Sequence, residues 1–179
     1  AGAAAAWETI AGGLTAKVEG TNFSNSLLVG HSTTGTLNAA TYNTGVGIAA
    51  LDALTTGDTN TAIGASALTA VTTGGSSTGV GYQAGYGITG APDNTIVGSS
   101  AFKGSATDAN SGYNTVVGAN AMTAASGAAF NTAIGRDAGR EVTSGDYNVF
   151  LGYNAAANDS SAGITTGSGN VIIGTVDPS

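Results

Sequence analysis

His31, the single histidine, and eleven carboxylates are the residues with which this chain could do acid–base or metal chemistry, and there is no cysteine to join them. A lone histidine next to a glycine reads as a loop or surface residue, because no second His or Cys completes a metal set. The carboxylates Asp52, Asp58, Asp93, Asp108, Asp137, Glu141, Asp146 and Asp159 are scattered along the chain. They lack the spacing of a calcium-binding nonapeptide repeat, so an occasional ion at a turn or subunit contact is the most they support. Gly79-Val-Gly-Tyr-Gln-Ala-Gly85 comes near a dinucleotide-binding loop. It departs from the G-x-G-x-x-G spacing, and no helix signature follows it. No nucleophile stands with a base to activate it, so no catalytic, cofactor or metal site is expected. Tyr42, Tyr113, Phe130 and Tyr147 each immediately precede an asparagine. They read as packing over a corner of the fold or as an exposed strip for a glycan or partner, since aromatics are enriched at interfaces.

Bulk properties narrow the field further. Eleven acidic against four basic residues give a net charge of −7. Neutralising phosphate takes a cationic surface, and only Lys17, Lys103, Arg136 and Arg140 are available. Nucleic acid and anionic membranes are therefore poor partners. No apolar run approaches the roughly 20 residues of a membrane span. Residues 1–6 are small and apolar but lack the basic flank and long apolar core of a signal peptide. Thirty glycines and 8% charged residues would suit a disordered chain. A fixed apolar period argues against that.

The period is carried by Gly30, Gly47, Gly64, Gly81, Gly98, Gly118, Gly135, Gly152 and Gly174, spaced 17, 17, 17, 17, 20, 17, 17 and 22. Before each glycine stands an aliphatic residue: Val29, Val46, Ile63, Val80, Val97, Val117, Ile134, Leu151 and Ile173. Four before it stands Asn43, Asn60, Asn94, Asn114, Asn131, Asn148 or Asn170, with Ser26 and Ser77 at the same place in two repeats. Three before it, six consecutive repeats carry threonine, from Thr44 to Thr132. Alanine follows three after it in seven repeats, from Ala50 to Ala155. The two longer steps fall in Ser/Asn/Gly/Asp-rich stretches near Ser105–Tyr113 and Asn158–Gly169.

Asn-Thr-x-(Val/Ile)-Gly reads as a short strand ended by a glycine corner, because β-branched residues suit a pleated surface. Strict alternation places Thr and Val on one face and Asn with the variable residue on the other. Taking the valine column as the core puts the threonines inward with it, which removes the exposed hydroxyl array an ice-binding solenoid needs. Helical repeats are longer and avoid so much glycine. The expected fold is all-β: a parallel β-solenoid of about nine 17-residue coils over residues 25–179, stacked into a rod on the order of 40 Å long. Residues 1–24 would cap it, donate a strand to a neighbour or link to another domain, with Trp7, Ile10, Leu14, Val18 and Phe23 as the apolar positions. One β-branched residue and one alanine per coil make a thin core, so burial between chains is expected, as a homotrimer or filament. Asn22-Phe-Ser24 and Asn158-Asp-Ser160 are glycosylation sequons.

Asn60-Thr-Ala-Ile-Gly64, Asn131-Thr-Ala-Ile-Gly135, Ser77-Thr-Gly-Val-Gly-Tyr-Gln-Ala-Gly85 and Asn170-Val-Ile-Ile-Gly174 resemble the repeats of bacteriophage tail-fibre and tail-spike proteins. They are also similar to the head repeats of YadA-type trimeric autotransporter adhesins, which are shorter. The resemblance covers roughly residues 25–174 and implies a trimeric fibre on a virion or at a cell surface. It implies a structural function: a tail-fibre or spike shaft contributing to host attachment, or alternatively a bacterial adhesin or secreted filament subunit. The partners would be further copies of the chain and a cell-surface glycan or receptor.

Overall fold

A computed structural model describes residues 7–10, 14–20, 23–30, 37–106, 111–157 and 164–175, with the backbone alone described for 7–10, 14–20, 23 and 106. Nine short strands follow the repeat: β3 (Phe23–Val29), β5 (Thr44–Val46), β6 (Thr61–Ile63), β7 (Thr78–Val80), β9 (Thr95–Val97), β11 (Thr115–Val117), β12 (Thr132–Ile134), β13 (Val149–Leu151) and β14 (Val171–Ile173). They hydrogen-bond in that order, all parallel, as one ladder. The register sets Val46 on Ile63, Ile63 on Val80 and Val80 on Val97, with Thr44, Thr61, Thr78 and Thr95 stacked beside them. The chain is a parallel β-solenoid with 17 residues in its regular coil. Two-residue strands occupy other corners: β4 (Ala40–Thr41) beside β3, and β8 (Gly87–Ile88) paired in parallel with β10 (Ser105–Ala106).

Backbone bonds join successive coils outside the strands as well. Leu51 N donates to Ala67 O, Ala53 N to Thr69 O and Thr55 N to Thr72 O on the wall opposite the ladder. Every side of a coil thus finds its backbone partners on the coils above and below, which is what lets so short a unit bury polar groups. The 20- and 22-residue steps leave the ladder in register, since Thr115 still pairs with Thr95 and Val171 with Val149. Residues 107–110 and 158–163 of these two steps lie outside the described residues.

The faces are the reverse of the sequence-based assignment. In every three-residue strand from β5 to β13 the middle residue is buried, while the residues on either side are partly or fully exposed. Leu28, Ala62, Ile96, Val116, Ala133 and Phe150 point inward and are inaccessible. Val46, Ile63, Val97, Ile134 and Leu151 remain 37–44% exposed on the outside. The alternation holds, but the core lies on the side of the variable residue. β-branched residues favour extended backbone whether or not they are buried, so a recurring Val or Ile marks a strand without marking the core. A usable signal lay in the variable column itself: Leu28, Gly45, Ala62, Gly79, Ile96, Val116, Ala133, Phe150 and Ile172 include no polar residue.

That column varies in size because it interdigitates with the far wall. Leu51, Leu54, Leu68, Val71, Ile88, Phe102, Met122 and Val142 are all fully buried there. Where the wall is bulky the strand is bare: a Cβ on Gly79 would sit 2.7 Å from Leu68 Cγ. Where the strand carries Phe150 the wall is bare, and a Cβ on Gly139 would meet its ring at 2.7 Å. A close-packed interior penalises both voids and overlaps, so volume is conserved across the coil and not at each position. The interior is continuous within one chain and needs no second chain to close it. Ile96→Ala should therefore cost about 2–5 kcal/mol. Val97→Thr, one residue on and outside that interior, should cost clearly less than Ile96→Ala. Urea denaturation of the two variants compares them, and equal losses would contradict the assignment of faces.

At the N-terminal end the ladder changes sense. β2 (Leu14–Gly20) pairs antiparallel with β3, and β1 (Trp7–Ile10) pairs antiparallel with β2. The segment expected to cap or link thus extends the sheet by two strands, and the solenoid strand begins at Phe23, two residues earlier than expected.

Candidate interaction surface

The asparagine column lies inside the rod, not on its outer face. Asn43, Asn60, Asn94, Asn114, Asn131 and Asn148 are at most 1% exposed. Each side-chain carbonyl accepts the backbone N–H of the next residue in the column: Asn43 Oδ1 from Asn60 at 2.9 Å, Asn114 Oδ1 from Asn131 at 3.0 Å, and Asn148 Oδ1 from Asn170 at 2.9 Å. The Nδ2 groups donate to corner carbonyls, Asn43 to Gly57 O at 2.9 Å and Asn131 to Gly145 O at 2.9 Å. Ser26 and Ser77 serve in the same column, their hydroxyls accepting from Asn43 N and Asn94 N. A buried amide is tolerated only when its donors and acceptors are met, and this one fastens each coil to the next and to its own turn. The column is a structural spine. It is closed to ligands.

The corner glycines stack directly on one another, with φ between 107° and 141° at all nine. The backbones are so close there that a Cβ on Gly81 would lie 2.6 Å from the carbonyl oxygen of Gly98. Glycine serves this corner in two ways, by its left-handed backbone and by admitting close approach. The glycine sequence from Gly79 to Gly85 belongs to this architecture.

The aromatic positions form a second outer column. Tyr113, Phe130 and Tyr147 stack with ring centroids 4.8 and 4.9 Å apart and planes within 1° and 4° of parallel. Tyr42 occupies the same position farther up, 60% exposed. All four adopt positive φ, 57–64°, which a non-glycine residue enters at a cost of about 1–2 kcal/mol. Their N–H groups are held by carbonyls of the preceding coil, such as Phe130 N donating to Gly112 O. Stacking occupies both faces of the Phe130 ring, so the trio presents ring edges and hydroxyls outward. The packing reading holds for Tyr113, Phe130 and Tyr147, and the column stays exposed on its outer side.

The charged residues are dispersed, and several have structural work. Asp58 Oδ1 accepts from Thr41 N at 2.7 Å and Thr41 Oγ1 at 2.9 Å, and Asp146 Oδ1 accepts from Ala129 N at 2.8 Å. Each ties one coil to the coil seventeen residues away. Asp137, 4% exposed, pairs with Arg136 at 3.2 Å, and Glu141 with Arg140 at 2.9 Å. Arg140 and Glu141 border a shallow depression of about 380 Å³ with Asn120, Thr123 and Ala124. Among the described residues no three His, Cys, Asp or Glu side chains come together. His31, Asp108 and Asp159 lie outside the described residues, as do Asn22 and Asn158 of the sequons. No helix among the described residues is long and apolar enough to cross a membrane.

What remains is the outer face of the ladder. Its threonines, Thr44 to Thr132, point outward with the aliphatic column, not inward as the sequence suggested. The threonine hydroxyls, expected inside, therefore line the outer face. Ile173 and Val171 at the last strand are 71% and 68% exposed. No family model, curated protein or solved structure matches the chain.

Proposed function

We propose that this chain is a structural fibre protein: the shaft of a phage tail fibre or spike, working as a homotrimer and contributing to host-surface attachment. The supporting observation is the unbroken in-register stack of nine parallel strands with a buried asparagine spine. Such a stack resists bending because each coil is bonded to its neighbours on every side. Rigidity and reach are what a shaft supplies. Host contact, in this reading, falls to the exposed aromatic column of Tyr42, Tyr113, Phe130 and Tyr147, whose edges suit a surface glycan.

A second reading, a bacterial adhesin or secreted filament subunit, draws on the two ends of the sheet. Among the described residues β1 and β14 each have one unpaired edge, and unpaired edges invite strand addition from another subunit. Immunogold electron microscopy of the source culture, with antibody against this chain, separates the two. Gold along rods on virions is the expected result. Gold on free filaments or on the bacterial surface would favour the second reading, and gold confined to the cell interior would overturn both.

A further inference from the structure

We infer that the threonine–aliphatic face of the ladder is the surface on which copies of this chain associate side by side. The inference rests on the fibre reading for its biological setting and on the geometry for its location.

Three observations carry it. The first is exposure: a solvent-facing column of Val, Ile and Leu runs the length of the ladder, 37–44% exposed at Val46, Ile63, Val97, Ile134 and Leu151. Scattered exposed aliphatics are ordinary, but a contiguous apolar patch of several hundred Å² marks an interaction site. The second is charge. From Leu27 to Ile173 no outward-facing strand position carries a charge, in a chain whose net charge is −7. The charged side chains at Asp52, Asp58, Lys103, Arg136, Asp137, Glu141 and Asp146 belong to other parts of the coil, and Asp93 stands in the aromatic column beside the face. Copies meeting on the ladder face bury no unpaired charge and keep their acidic corners apart.

The third is area. Eight coil steps of about 4.8 Å make the face about 38 Å long, and the threonine and aliphatic columns with their side-chain girth span about 14 Å. That is on the order of 500 Å² per copy, more than half of the roughly 800 Å² per partner of a stable interface. The occupant is a second copy, which presents the same rung spacing, the same columns and an equally uncharged face. Columns of β-branched side chains from two ladders stay in step from end to end, while a partner of different pitch loses register within a few rungs. The stiff χ1 of Thr, Val and Ile lowers the entropy lost on contact.

Light scattering after size exclusion tests this with two lysine pairs, Val97→Lys with Ile134→Lys on the ladder face and Tyr82→Lys with Tyr153→Lys on another corner. The wild type should run at a multiple of its 17.0 kDa chain mass. The ladder pair should fall at least twofold in mass with an unchanged far-UV spectrum, while the corner pair keeps the wild-type mass. If the ladder pair does not fold, Val97→Cys decides, since the chain has no other cysteine. Mild oxidation should cross-link Val97→Cys between chains and leave Tyr82→Cys uncrosslinked. A wild type at 17.0 kDa, or retained mass in the ladder pair, would overturn the inference. So would a monomer that inhibits ice recrystallisation through this face, which would assign the exposed threonines to ordered water. Retained mass with gold still on virion rods removes only the assigned face. A mass shift with gold on free filaments keeps the face and removes the virion reading.

Discussion

Asn131→Ala lowers the free energy of unfolding by roughly 3–5 kcal/mol, a large share of the 5–15 kcal/mol typical of a folded domain. Its Oδ1 accepts from Asn148 N at 2.9 Å and Asn148 Nδ2 at 3.0 Å. Its Nδ2 donates to Ala129 O and Gly145 O, both at 2.9 Å, and to Asn114 Oδ1 at 3.2 Å. Alanine removes all of these at a site 1% exposed. The backbone N–H of Asn148, itself inaccessible, is left without its acceptor, and each buried unsatisfied group costs about 1–3 kcal/mol. Thr132→Ala, next in sequence and facing outward, should change stability by less than about 1 kcal/mol. Urea titrations of both variants make the comparison. Similar midpoints for the two would mean that the spine does not hold the coils together.

The second large effect is at the glycine corner. Gly81→Ala should destabilise by more than about 4 kcal/mol, beyond the range of most single substitutions. Two costs combine there. The backbone sits at φ 132°, and the new Cβ would lie 2.6 Å from the carbonyl oxygen of Gly98 and 2.7 Å from its carbonyl carbon. That obstacle is backbone, so no rotamer change relieves it, and the coils must separate. Gly169→Ala is the control: φ is 73° and nothing lies within 4 Å of the added carbon. It should lose only the left-handed cost of about 1–2 kcal/mol. Because stability in a stack is passed between neighbouring coils, Gly81→Ala should also open the rod to protease near the Gly81–Gly98 corner before either end unfolds. Intact coils at that corner under limited proteolysis would contradict the close-approach argument.

The parallel solenoid, its coil length and its register were all determined by sequence alone. A recurrence at constant spacing leaves only one way for equivalent backbone groups to meet, directly above one another. Which side of the strand holds the core was decided by the tertiary structure. Both columns of each strand are largely apolar or neutral, so Val46 beside Gly45, or Ile134 beside Ala133, offers local pattern no choice. Closure of the coil makes it: the interior has room for Gly, Ala or an occasional Phe150 set against a wall of Leu68, Met122 or Gly139, and for an amide whose every polar atom finds backbone. A uniformly branched column cannot match a wall whose size changes from coil to coil, so it faces out. That inversion is why the ladder face, unremarkable in the sequence, became the surface on which association is proposed.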